Sequence, residues 1–434
     1  MNIPVQFADS RHIGFRYLLQ RPLTWLLIAL LIGYASDGFI GLYSTATTGL
    51  LTSTYGNLAS GHSDTKSNTL MMMFLTVSLT PLVILHMNGV LRVASRNLTP
   101  IILAAWVIVS IAWSQFPFVT LEWAPTVLLS ILFVFYISAT YTPETQMRLV
   151  IAFGTICLLL TIMLSTLPNY RDPVGGWRGI YAQKNMCCMN TEFLMVPAFY
   201  AGSLSKGTPY RVFRISYILL SVVVIVFSKS STGLVVLPLL LGVAASAQII
   251  RRFKTRDRAI LIFFACILAV CVAVVGASSY TTIARAFGKD PTLTGRTEIW
   301  SALAISIAKH PLLGYGYRAF WRGYEGESAG VSLAAHWAIP SAHNAALEIL
   351  VTLGAVGLMI VAWFCLKAIR DSFTCLVYSD SSYSRWYATV IVLMFLNSVD
   401  EAEMLVPFGL AWLLFMLAAV NLSTSAQKLR RSAG

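Results

Sequence analysis

Apolar runs of about 20 residues recur along this 434-residue chain, and they decide what it can fold into. An α-helix of that length matches the hydrocarbon core of a bilayer and satisfies its own backbone polar groups. Twelve such spans are read, at roughly 23–43, 69–91, 98–114, 120–140, 149–168, 186–204, 212–228, 232–250, 259–279, 345–366, 386–400 and 405–421. The composition agrees: 57% of residues are hydrophobic and 11% charged, against about 25% charged in soluble domains. The expected fold is all-α, a polytopic membrane protein with one membrane domain over 1–434. A long connecting segment at 280–342, carrying amphipathic helices, interrupts it. The stretch 386–421 reads either as two short spans around Asp400-Glu401-Ala402-Glu403 or as one re-entrant segment.

Lysine and arginine orient the spans. Alternate connections hold Arg11, Arg16 and Arg21; Arg92 and Arg96; Arg148; Lys206, Arg211 and Arg214; the cluster from Arg251 to Arg258; Lys367, Arg370 and Arg385; and Lys428, Arg430 and Arg431. That side is assigned to the cytoplasm, with both termini on it. The net charge of +13 is then mostly orienting charge, and no nucleic-acid partner is needed to explain it. No Ala-x-Ala-like cleavage site precedes position 40. The seven cysteines lack metal-type spacing and read as small apolar packing residues.

The opposite side should be poor in basic residues, yet it holds Arg178, Lys184, Lys229, Arg296 and Arg318, with His343 following. Cations that break the bias need an anionic partner, and for a membrane protein a lipid-linked phosphate fits best. Arg178 and Lys184 bracket Trp-Arg-Gly-Ile-Tyr-Ala-Gln-Lys-Asn (177–185), a loop that feeds the helix beginning near Asn185. A guanidinium fork matches phosphate oxygens, Lys adds a point charge, and Gly175, Gly176 and Gly179 let backbone approach a ligand. Snorkelling, or pairing with Asp172, is the alternative. Lys229, in Ser-Lys-Ser-Ser-Thr-Gly (228–233), reads as part of a phosphate nest or as an ordinary polar turn. Arg296 opens an amphipathic helix with Ile299, Trp300, Leu303 and Ile307 at helical spacing, and Glu298 is its alternative partner. Arg318 and Arg322 flank Phe320-Trp321 and suit either the site or lipid headgroups. The aromatic residues of 300–337 suit a membrane interface or a sugar-stacking groove.

His343 falls at the start of a helical pattern, so it is expected in the first turn of a helix entering the membrane. A helix N-terminus attracts anions and disfavours a second positive charge, which favours the neutral ring that a general base needs. A capping or interfacial histidine is the other reading. Asn344 and Glu348 share a face, and a carboxylate within a span is a candidate functional group. His336 is seven residues away and is a possible companion, although two histidines make a poor metal site. No Walker-type loop and no early carboxylate pair for Mg²⁺ occur, so neither nucleotide, metal nor other cofactor is expected.

Three motifs in order, Gly-Arg-Thr-Glu-Ile-Trp (295–300), His-Pro-Leu-Leu-Gly-Tyr-Gly (310–316) and His-Asn-Ala-Ala-Leu-Glu (343–348) with its continuation to Leu358, resemble the bacterial O-antigen ligase and polymerase superfamily. Residues 177–185 resemble that family's upstream loop. The resemblance covers about 170–360 by motif and the rest by span count. It implies a metal- and nucleotide-independent glycosyltransferase on the periplasmic face of the inner membrane, similar to type-C glycosyltransferases. The implied donor is an undecaprenyl-diphosphate-linked O-antigen, and for a ligase the acceptor is lipid A–core. The resemblance makes His343 the matching catalytic base and Arg296 a matching donor-phosphate arginine, and it strengthens Arg178 and Lys184. Many members carry Ser-Arg where this chain has Ser228-Lys229, which keeps the charge but loses the bidentate fork. An O-antigen polymerase or a protein O-oligosaccharyltransferase is the alternative within the family. A transporter or flippase with a cationic path is the alternative outside it.

Overall fold

The computed structural model describes residues 77–173, 175–262 and 296–433. The expected span at 23–43, nearly all of that at 259–279, and the stretch 280–295 lie outside these residues. The described chain is helical, apart from one bridge between Arg171 and Trp177. Its main elements are α1 (Val77–Leu85), α2 (Met87–Arg96), α3 (Leu98–Val109), α4 (Pro117–Thr140), α5 (Pro143–Ser165), α6 (Lys184–Tyr200) and α7 (Thr208–Ser228). They continue as α8 (Ser231–Ile250), α9 (Arg296–Lys309), α10 (Ser328–Ala335), α11 (Ala345–Tyr378), α12 (Ser382–Ser398) and α13 (Leu410–Ala433).

Local sequence sets these boundaries. Pro117 and Pro143 sit at the first positions of α4 and α5, where a missing N–H costs nothing. Thr142, Ser230, Asn344 and Ser381 cap α5, α8, α11 and α12 with side-chain oxygens.

Among the described residues six helices are long and apolar enough to cross a membrane, or seven if α1 and α2 form one broken span. The expected span at 69–91 is that broken pair: the chain bends by 84° at His86, between α1 and α2. The stretch 386–421 falls in two packed helices, α12 and α13, on either side of Asp400-Glu401. Helix α13 packs against α2, α4, α6, α11 and α12. Its most apolar window is 78% buried, because Leu410 to Val420 is apolar on every side. Helix α7 is 28% buried over its window and turns Val212, Leu219, Val226 and Phe227 outward. So extended an apolar outer face requires lipid around it.

Helix α11 carries a break that shapes the site. Gly354 has φ 67° and ψ −172°, which interrupts the helical ladder one-third of the way along. The Pro311–Gly316 segment docks into the gap. Tyr315 and Gly316 donate to the carbonyls of Val351 and Thr352, both at 2.9 Å. Ala355 and Val356 in turn donate to Pro311 and Leu312, at 2.8 and 3.2 Å. Trp106 Nε1 reaches the Leu353 carbonyl and Trp113 Nε1 the Leu313 carbonyl. Backbone groups freed inside an apolar region are thus re-satisfied by protein. A Cβ at Gly354 would lie 2.2 Å from the Leu312 backbone, so this contact admits only glycine. The result is a short half-helix, 345–353, held at a fixed angle with its N-terminus at the end of the bundle that carries the site.

Candidate active site

Five pieces of chain meet at that end: the 166–183 loop, the α7–α8 turn, the start of α9, the 336–344 loop and the 399–409 connection. The 166–183 loop folds onto the C-terminus of α7. Trp177 donates its N–H to the Phe227 carbonyl and stacks on the Phe227 ring. Gly176 has φ 120°, and a Cβ there would lie 2.2 Å from the Ser228 carbonyl oxygen. A Cβ on Gly179 would lie 2.6 Å from the Thr161 backbone. Gly176 and Gly179 therefore serve close helix–loop packing, where the sequence reading gave them to a ligand. Arg178 lies at the centre of this loop. It is buried and donates to the carbonyls of Asn169, Arg171, Tyr181 and Ala182, so the loop is drawn around its guanidinium. Lys184 opens α6, and its N–H is held by Asp172 Oδ2 at 3.1 Å. Lys229 is exposed and ends α7 in the left-handed conformation, beside Gly176.

The 399–409 connection joins these pieces through two adjacent carboxylates. Asp400 pairs with Arg296 and accepts from the Thr232 hydroxyl. Glu401 accepts from Asn185 Nδ2 at 3.3 Å and faces His343 Nδ1 at 3.8 Å. Asn185 Oδ1 accepts from Ser230 Oγ at 3.0 Å, which ties the start of α6 to the start of α8. Asn344 donates to the Val399 carbonyl at 3.1 Å. Arg296 thus finds its partner in Asp400, not in the neighbouring Glu298. The sequence reading used Asp400 and Glu401 only to mark a span boundary. Ionisable residues between two apolar runs were the available signal.

His343 lies one residue before the N-cap of α11, not in the first helical turn as expected. Asn344 is the cap, accepting from Leu347 N–H at 3.1 Å. The His343 backbone has φ 47°, a strained value for a residue with a side chain. Its neighbour's peptide is clamped from both sides: Ala342 N–H donates to Glu348 Oε2, and the Ala342 carbonyl accepts from Trp300 Nε1, each at 2.9 Å. Trp321 Nε1 donates to both Glu348 oxygens. Glu348 therefore shapes the loop that presents His343. Arg318 lies over the Trp123 ring at 4.5 Å. Tyr317 donates to the Leu405 carbonyl, and burial pushes its phenol up to about 12 despite the nearby Arg318. His336 is exposed and ends α10 in the left-handed conformation.

The geometry places an imidazole and an arginine on consecutive residues of one connection, with further cations on neighbouring turns. A family model described as O-antigen ligase matches residues 216–362. The exopolysaccharide production protein ExoQ of Rhizobium meliloti (strain 1021) is 25% identical over 358 residues, covering 79% of this chain and 81% of the relative. Both comparisons support the O-antigen ligase/polymerase superfamily as the one this chain resembles. The superfamily match runs from α7 to the middle of α11 and takes in Lys229, Arg296, Arg318, His336, His343, Asn344 and Glu348. Arg178, Lys184, Asn185, Asp400 and Glu401 fall outside it, yet Asn185, Asp400 and Glu401 make direct contact with residues inside it.

Proposed function

We propose that this protein is an O-antigen ligase, moving a glycan from undecaprenyl diphosphate to lipid A–core on the periplasmic face of the inner membrane. The observation that carries the reading is the pair Asp400–Glu401, which brings Arg296 and His343 to one connection. Arg296 has five N–H donors, so it can hold Asp400 on one edge and a donor phosphate on another. Lys184 and Lys229 add charge from two flanking turns, and Arg178 supports from within the loop that ends at Lys184. Together these cations neutralise the charge that grows on the departing diphosphate. His343 takes the proton of the attacking acceptor hydroxyl at Nε2, because Nδ1 is the buried ring nitrogen. The acceptor oxygen bonds to the anomeric carbon as the bond to the diphosphate oxygen breaks, and its electron pair leaves with the diphosphate. One such displacement inverts the anomeric centre. No step calls on a metal or a nucleotide.

A second reading, elongation of an exopolysaccharide or O-antigen, is favoured by the relative that covers most of the chain and is named for exopolysaccharide production. It differs only in the acceptor. A deletion strain separates the two: loss of a ligase leaves core-only lipopolysaccharide, whereas loss of a polymerase leaves single repeat units or abolishes the polymer.

A further inference from the structure

His343 Nδ1 is buried and makes no hydrogen bond, and the group directed at it is Glu401 Oε2, 3.8 Å away. We infer that Glu401 is a positioning residue for His343, holding the imidazole by its Nδ1 side and stabilising the cation that forms when Nε2 takes a proton. The inference rests on the base reading of the proposed function. The Glu401 side chain is 11% exposed and is not a swinging surface group. Its other oxygen is fixed by Asn185, which Ser230 holds in turn, so two helices orient the carboxylate. The neighbouring carboxylates are engaged elsewhere. Asp400 serves Arg296 and Thr232. Glu348, whose field also reaches His343, serves Trp321 and Ala342 N–H.

A carboxylate on Nδ1–H selects the tautomer whose Nε2 lone pair faces substrate, and it favours the imidazolium once formed. Closing 3.8 Å to a charge-assisted hydrogen bond of about 2.8 Å takes about 1 Å of movement. Catalytic hydrogen bonds commonly tighten by such amounts when substrate binds.

The test uses Glu401→Gln, which keeps shape and an acceptor for Asn185 but removes the charge. Diethyl pyrocarbonate modification of His343, followed by mass spectrometry on detergent-solubilised protein across pH, needs no substrate. Without the carboxylate the neutral ring persists to lower pH, so half-maximal modification should move to lower pH than in wild type. Transfer from a synthetic polyprenyl-diphosphate-linked glycan should show kcat lowered roughly tenfold or more, donor KM little changed, and the acid limb displaced the same way. A merely structural role would lower activity without moving the limb. If both the modification midpoint and the acid limb stay at wild-type pH, the assignment is overturned. His343→Ala serves as the control. If it retains transfer, the base reading itself fails; if it is inactive while Glu401→Gln behaves as wild type, only the role of Glu401 fails.

Discussion

Lys229, Arg318, His336 and His343 all sit on backbone with positive φ, where a side chain costs about 1–2 kcal/mol. Lys229 and His336 end helices there, at positions where glycine is the usual occupant. If Lys229 were only a turn residue, glycine would serve better. Lys229→Gly should therefore raise stability by about 1 kcal/mol, read as a higher melting temperature in detergent, while lowering glycan transfer. Unchanged transfer would remove Lys229 from the site. Lys229→Arg restores the fork common in the family at this place and should retain activity. The charges themselves were legible in the sequence because they break the positive-inside bias. The inward turn of Arg178 was not, since it depends on four loop carbonyls that converge only in the folded chain.

At the scale of elements, the two glycine-bearing motifs 310–316 and 343–358 find one physical cause. They are the two sides of a backbone contact at the break in α11, and that contact aims the half-helix behind His343. Gly354→Ala places a Cβ 2.2 Å from the Leu312 backbone at φ 67° and should cost about 3 kcal/mol or more. Gly242, inside α8 with nothing within 4 Å of an added Cβ, is the control: Gly242→Ala should be neutral or slightly stabilising. Thermal unfolding of the two solubilised variants checks the contrast. Hydropathy read α11 as one span because the break lies at a single glycine within an unbroken apolar run. The bend at His86 escaped because hydropathy averaged over 69–91 stays apolar across one histidine. Helices α4, α5, α7 and α8, by contrast, were legible because proline, cap residues and apolar length agree at their ends.

At the scale of the molecule, a lipid-facing α7 and an enclosed α13 give a bundle with distinct ends, one of which gathers all five site segments. We propose, from the charge asymmetry of the connections, that this end faces the periplasm. Single cysteines at Lys206 and Lys229, at opposite ends of α7, check this in a background with the native cysteines replaced. An impermeant maleimide should label Lys229→Cys in spheroplasts and Lys206→Cys only after lysis; the reverse pattern would invert the topology. The central claim is that His343 is the base of a glycan transfer from a lipid diphosphate. Purified protein, a polyprenyl-diphosphate-linked glycan and lipid A–core test it directly. Wild type should form the glycosylated acceptor without added metal or nucleotide, while His343→Ala, folded and monodisperse, should form none. Wild-type rates in His343→Ala would contradict the account.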